Sequence, residues 1–159
     1  MVLVAMLMLA SACTLAASHC KSGEIIYFSC PIKGSEKLVS LCGSAFRDKG
    51  RMSETAWVQY RFGRPGQIEL AYPKQKSSLV EAFTGEYIVA NDRRLYSLMF
   101  HIGAHKYELL VSPEFRGVTV SGNDTEAKRP CSSEPQTQFA KSLNNFYQLV
   151  QDLGALEDK

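Results

Sequence analysis

The chain has 159 residues, 45% hydrophobic and 21% charged, with 18 basic against 16 acidic side chains and a formal net charge of +2. That is the composition of one globular domain with a reasonable core, and it excludes a disordered, collagen-like or polytopic membrane chain. The near-balance of charge gives no global attraction to nucleic acid or acidic lipid.

Residues 1–18 carry no charged side chain: an apolar run, Val2 to Ala10, is followed by small residues from Ser11 to Ser18. The run is too short to cross a bilayer, which needs roughly 20 apolar residues. It reads as a signal peptide with cleavage or lipidation near 12–18. Ala16-Ala17-Ser18 would release a chain beginning at His19. Leu9-Ala10-Ser11-Ala12-Cys13 resembles a bacterial lipobox with its aliphatic residue displaced by one place, so Cys13 is either acylated or discarded with the signal. Cys20, Cys30, Cys42 and Cys131 then remain, an even set that predicts two disulfides in an oxidising compartment. No C-x-x-C spacing suggests zinc or thioredoxin-type chemistry.

Residues 19–159 are predicted to form a single β domain. Short runs of period-two alternation fall at 25–30, 37–42, 57–62, 68–72, 83–90, 93–102, 105–112 and 117–121. Pairing the first two through Pro31 to Glu36 sets Phe28 opposite Val39 and Ile26 opposite Leu41. Cys30 and Cys42 then sit at opposite ends of the hairpin, roughly 17 Å apart at about 3.4 Å per residue. A disulfide needs Cα atoms within about 7 Å. The hairpin therefore predicts Cys20–Cys42 and Cys30–Cys131; if the two runs lie in separate sheets, Cys20–Cys30 with Cys42–Cys131 stays open.

The third and fourth runs flank Gly63-Arg64-Pro65-Gly66. A four-residue loop would set Tyr60 opposite Glu69, which mismatches the faces. A five-residue loop, 63–67, sets Tyr60 opposite Leu70, Val58 opposite Tyr72 and Arg61 opposite Glu69 as an exposed ion pair. Aromatics interleaved with arginine form stacking and cation–π surfaces, and they also suit a stable hairpin. The candidate contact residues are Tyr60, Arg61, Arg64, Glu69 and Tyr72.

Asn91-Asp92 joins the fifth and sixth runs, setting Tyr87 opposite Tyr96, Gly85 opposite Leu98 and Phe83 opposite Phe100. Gly103-Ala104 joins the sixth and seventh as a type II′ turn, with Phe100 facing Tyr107 and Leu98 facing Leu109. Val118 and Val120 are matched to Val111 and Leu109. The final segment changes period: Phe139, Leu143, Phe146, Val150 and Leu153 share one helical face. Ser133 with Gln136 resembles a capping box, and Gly154 can close the end. A helix at about 136–153, packed on the sheet, is predicted; Lys141 as its only basic side chain argues against a membrane-surface helix. The fold class is all-β with one C-terminal helix, an eight-stranded antiparallel meander closed as an up-and-down barrel or flattened into a sandwich.

No hydrolase elbow, H-E-x-x-H, P-loop or G-x-G-x-x-G occurs. His101 and His105 fall on opposite faces of a hairpin, which disfavours a metal pair. Glu69 and Glu86 lie on the solvent face, so no catalytic residue, metal or cofactor is assigned. Asn123-Asp124-Thr125 has the pattern of a glycosylation sequon.

Phe28-Ser29-Cys30, Val39-Ser40-Leu41-Cys42, Gln59-Tyr60-Arg61-Phe62-Gly63 and Ile68-Glu69-Leu70-Ala71-Tyr72-Pro73 resemble a group of exported, uncharacterised proteobacterial proteins, over most of the mature chain. That group implies export and no particular activity. In size and strand pattern the chain is also similar to small exported lysozyme inhibitors built on eight-stranded barrels, with Thr84-Gly85-Glu86-Tyr87 loosely echoing their Ser-Gly-x-x-Tyr loop. The expected function is an exported, non-catalytic binding or inhibitor module, periplasmic or secreted. Its partner would be a protein, peptide or glycan of the cell envelope, not nucleic acid, with membrane contact only through Cys13. The alternatives are a carrier holding a small apolar ligand in a barrel, and an enzyme with an unrecognised site.

Overall fold

A computed structural model describes residues 18–48, 51–135 and 143–157. The signal segment, Cys13, Phe139 and the expected start of the final helix lie outside the described residues. The elements are β1 Ile25–Pro31, β2 Leu38–Gly43, β3 Arg47–Asp48, β4 Arg51–Met52, β5 Val58–Arg64, β6 Gln67–Tyr72, α1 Leu79–Ala82, β7 Thr84–Ala90, β8 Arg93–Ile102, β9 His105–Val111, β10 Arg116–Gly122, β11 Thr125–Pro130 and α2 Asn144–Glu157. All eight expected runs form strands. β3, β4 and β11 are additional.

The strands build two antiparallel sheets and a small ribbon, not a closed barrel. The first sheet has the order β1-β2-β5-β6, the second β11-β10-β9-β8-β7, and β3 pairs with β4 alone. Together the two large sheets make a flattened sandwich. Along one side the sheets are tied by an antiparallel bridge between Ile32 and Cys131 and by the Cys30–Cys131 disulfide, Cα atoms 5.6 Å apart. Cys20–Cys42 closes the other pair at 5.3 Å. The connectivity is the one that the hairpin reasoning selects, and β1 and β2 do pair.

Their register is shifted, however. Phe28 lies opposite Leu41 and Cys30 opposite Val39, with a bulge between Ile26 and Phe28, rather than Phe28 opposite Val39. The bulge sets Ile26 opposite Cys42, off the face it is expected to share with Leu41, while from Phe28 onward the slip is two residues and preserves alternation. The same holds for β10: Val118 meets Leu109 and Val120 meets Tyr107, two residues from the expected pairs. The expected registers of β7 with β8 and of β8 with β9 are the observed ones. Asn91 and Asp92 have φ of 50° and 61°, as a type I′ turn requires. Only Gly103 of its turn has positive φ (58°), consistent with type II′.

The β5–β6 hairpin solves its parity problem differently from the expected five-residue loop. Arg64 pairs with Gln67 across Pro65-Gly66, and a bulge at Glu69 then sets Phe62 opposite Leu70 and Tyr60 opposite Tyr72. Arg61 therefore faces Ala71, not Glu69.

The core lies between the sheets and under α2. Tyr60 of β5 meets Phe100 of β8 (ring centroids 5.0 Å), and the Tyr72 and Tyr107 rings stack on Phe100 at 4.4 and 5.0 Å. From α2, Leu143 (just before its first turn), Phe146, Leu149, Val150 and Leu153 are buried, with Phe146 reaching Phe28 of β1 and Tyr147 stacking on Tyr96 of β8. The helix does not end at Gly154 but runs on to Glu157. Gly154 instead lets the helix settle onto β7, since a Cβ there would lie 2.9 Å from the Gly85 carbonyl oxygen. Gly85 does the same from the sheet: its Cβ would strike the Val150 carbonyl and sit 2.8 Å from Leu153 Cβ. Gly85→Ala is accordingly expected to cost about 1–3 kcal/mol in denaturant unfolding, because backbone on the far side must shift; a neutral effect would show that the helix is free to lift.

Candidate binding surface

The five residues expected to share a contact patch do not share one. Tyr60 is 2% exposed and packs between the sheets; burial raises its hydroxyl pKa. Tyr72 points the same way, stacked on Phe100. Arg61, one residue on, points to the opposite face of the sheet and is 3% exposed. Only Arg64 and Glu69 lie at the surface. Arg64 Nε is 3.5 Å from Glu36, and Glu69 pairs with Lys37 Nζ at 2.5 Å. The expected Arg61–Glu69 pair and the exposed Arg61 are thus corrected: strand alternation sends Tyr60 and Arg61 to different faces, and the bulge moves Glu69 out of register.

What buries Arg61 is the segment 18–24, which crosses the outer face of the first sheet. The guanidinium donates from Nη1 and Nη2 to the Glu24 carboxylate (2.5 and 2.9 Å), from Nη1 to the His19 carbonyl (2.8 Å) and from Nε to Gln59 Oε1 (2.7 Å). His19 donates its backbone N–H to Ser40 Oγ at 3.0 Å, and its Nε2 lies 3.2 Å from the Gly63 carbonyl. Burial pushes the His19 pKa down. Burial opposes the charge on Glu24 as well, but Arg61 and the Lys21 N–H more than offset it and hold the carboxyl below its ordinary range. Cys20 and Cys42 lie close to Glu24, a spacing that could hold a metal. The two sulfurs are bonded to each other and Glu24 is engaged by Arg61, so this cluster is a structural clasp.

The outer face of the second sheet is different. Register places Thr84, Glu86 and Ile88 of β7, Leu95, Ser97, Met99 and His101 of β8, and Lys106, Glu108 and Leu110 of β9 on that side. None of the described elements lies across it. Ser97 sits at its centre, fully buried, and donates to Glu108 at 2.6 Å. Around it Ile88, Leu95, Met99 and Leu110 form an apolar band, with Ile88 42% exposed and the other three half-buried. At one end the band runs into a cleft of about 500 Å³ between the β7–β8 hairpin and the loop at Ser112-Pro113-Glu114. Arg93 rims that cleft and pairs with Glu114 at 2.9 Å.

His101 and His105 are both exposed at the β8–β9 tip, and Glu86 is exposed on β7. Asn123-Asp124 forms a second turn with φ of 47° and 60°, leading into β11. Sequence reading passed over the band because Ile88, Leu95, Met99 and Leu110 come from three strands and meet only through register. The alternation that assigned the inner face contained the signal, since it left four apolar side chains on the outer one. No protein-family model, curated protein or solved structure matches this chain.

Proposed function

We propose that the protein is a non-catalytic binding module of an oxidising extracytoplasmic compartment, and that it engages a polypeptide partner through the outer face of its second sheet. The carrying observation is the contrast between the two outer faces. One is sealed by residues 18–24, while the other presents Ile88, Leu95, Met99 and Leu110 beside an open cleft. An apolar band of this kind, rimmed by Arg93, Glu114, Lys106 and Glu108, has the make-up of a protein-docking surface. A glycan would be served by aromatic platforms, and every Tyr, Phe and Trp of β7, β8 and β9 lies on the other face. Two disulfides support the oxidising compartment. The resemblance to exported proteobacterial proteins supports export.

The carrier alternative needs an internal cavity, and the space between the sheets is filled by the Tyr60, Tyr72, Phe100 and Tyr107 rings. A photo-crosslinker at Leu110 is expected to capture an envelope polypeptide that the same group at Arg64 does not. Leu110→Lys and Leu95→Lys should each weaken that complex by about ten- to a hundredfold, the equivalent of one buried aliphatic contact, while the fold is retained. Capture from position 64 alone, or affinity unchanged in both variants, would overturn the assignment of this face.

A further inference from the structure

We propose that the polypeptide partner of this module is anchored by an arginine side chain, which enters a cleft between β7 and α2 and pairs with Glu86. The inference rests on the partner-binding reading of the second sheet's outer face and adds the chemistry of the partner. The cleft has a volume of about 500 Å³ and is lined by Glu86, Tyr87 and Met99 of the sheet and by Gln151, Gly154 and Ala155 of the helix. It opens beside the contact of Gly85 with Gly154, where strand and helix meet with no side chain between them. Glu86 lies opposite Ser97 and Thr84 opposite Met99, which makes Glu86 and Met99 diagonal neighbours on the outer face. The cleft is therefore continuous with the apolar band at Met99.

The charge around the cleft is uncompensated. The strands of the second sheet carry three carboxylates, Glu86, Glu108 and Glu126. Glu108 pairs with Lys106 at 3.6 Å and Glu126 with Lys128 at 3.3 Å. Glu86 is exposed and makes no ion pair among the described residues. Arg93 and Arg94 of the same hairpin lie opposite Ala90 and Val89, roughly 10–14 Å along the strand at about 3.4 Å per residue. α2 adds to the negative character. The carbonyls of a helix's last turn lack intrahelical donors and carry the negative end of its dipole. Gly154 and Ala155 belong to that turn and line the cleft, and no basic side chain of the turn offsets them.

A cation is favoured there, and arginine is the one whose shape suits the lining. Its planar guanidinium presents a fork of N–H donors, and a carboxylate and a side-chain amide oxygen, from Glu86 and Gln151, are available to accept them. Its aliphatic stem can lie along Met99 while the charged head reaches Glu86. Lysine would occupy the same place as a point charge with fewer donors. A free small cation would leave the adjoining band of Met99, Leu95 and Ile88 unused. An arginine within a chain, flanked by aliphatic residues, covers cleft and band together, and the pairing of its charge with Glu86 selects that partner over an acidic one.

Selection of random peptides displayed on phage against the full mature chain tests the proposal. The recovered peptides should carry an arginine flanked by aliphatic residues. A synthetic copy of the most enriched peptide should bind Glu86→Gln about ten- to a hundredfold more weakly than the wild type, with folding of each variant checked by circular dichroism. Replacing its arginine by citrulline keeps the shape and removes the charge. That change should cost as much on the wild type and little more on Glu86→Gln, the non-additivity of a direct pair. Gln151→Glu should tighten the arginine peptide by about two- to fivefold. A selection without binders, peptides without arginine, or equal citrulline losses on both proteins would overturn the anchor. Leu110→Lys separates this result from the reading beneath it. Binding lost in Leu110→Lys but indifferent to Glu86→Gln leaves the face standing and removes the anchor. Binding that needs Glu86 and ignores Leu110→Lys leaves the anchor and removes the face.

Discussion

Truncating Phe100 to alanine is expected to destabilise the folded state by about 3–5 kcal/mol. Phe100 is 4% exposed and lies on β8, with three strands beyond it on one side and β7 on the other. Its ring is the shared member of the inter-sheet aromatic cluster. Tyr72 and Tyr107 stack on it nearly parallel, at interplanar angles of 12° and 10°, while Tyr60 and Phe83 approach at 5.0 and 5.6 Å. Each such pair contributes about 0.5–1.5 kcal/mol beyond burial of area. The four neighbours sit on β5, β6, β9 and the residue after α1, elements fixed by their own ladders. They cannot close in together on the vacated volume, so the loss falls toward the upper end of the range. Urea unfolding with an unchanged m-value measures it. Met99→Ala, one residue along on the outer face, should cost distinctly less. A Phe100 loss below about 1 kcal/mol, or one matched by Met99→Ala, would contradict the inter-sheet packing.

The β7–β8–β9 part of the second sheet was legible in the sequence because its turns are specific. Asn91-Asp92 and Gly103-Ala104 each permit few backbone geometries, and once the turn is fixed every pair along the hairpin follows. Where no tight turn fixes the count, the register slipped by two. The link at 112–117 and, from Phe28 onward, the loop at 31–36 left face assignment intact and pairing wrong, and the bulge in β1 then turned Ile26 to the other face. The bulge at Glu69 is harder to foresee, since it resolves the same parity conflict as a longer loop and leaves the same alternation on each strand. β11 was missed although Asn123-Asp124 repeats the Asn-Asp turn of 91–92. Thr125 to Arg129 contains one apolar residue, so hydrophobic alternation, the signal relied on, is absent from a strand that lies at an exposed edge.

Function was less legible for a related reason. Tyr60, Arg61, Arg64, Glu69 and Tyr72 were grouped by nearness in sequence, but alternation separates Tyr60 from Arg61 and folding buries both. The burial of Arg61 depends on residues 18–24, a segment with no periodicity that lies between the predicted signal peptide and the first strand. Ser29 and Ser40 look like solvent-facing strand positions, yet they are bonded to each other at 2.9 Å beneath that segment. The Gly85 and Gly154 contact joins positions nearly 70 apart, and only the docked helix brings them together.

Arg61→Ala should therefore unfold or strongly weaken the protein, by about 3–5 kcal/mol, because it strands the Glu24 carboxylate at a site built for an ion pair. The side chains of Arg61 and Glu24 are 4% and 11% exposed, so solvent replaces little of what is lost. The joint variant Arg61→Met with Glu24→Met should cost less than Arg61→Ala alone, since replacing both charges removes the unpaired group. Acid should act on the same clasp through two groups. The Glu24 pKa lies below its ordinary 4.5 in the fold, so the stability it contributes is complete above that value and is lost as the pH falls through the folded pKa. The His19 pKa lies below 6.5, because burial favours the neutral ring; the unfolded chain takes up that proton first, and stability begins to fall below 6.5. Urea midpoints should thus be level above about pH 7, decline below it, and decline again in the carboxylate range. Glu24→Gln should lower the whole curve, keep the histidine decline and flatten the acidic one. Glu69, held low by Lys37 on the exposed side of the sheet, supplies the comparison. If Glu69→Gln flattens the acidic decline as much as Glu24→Gln does, the clasp over the first sheet is not what ties this fold to pH.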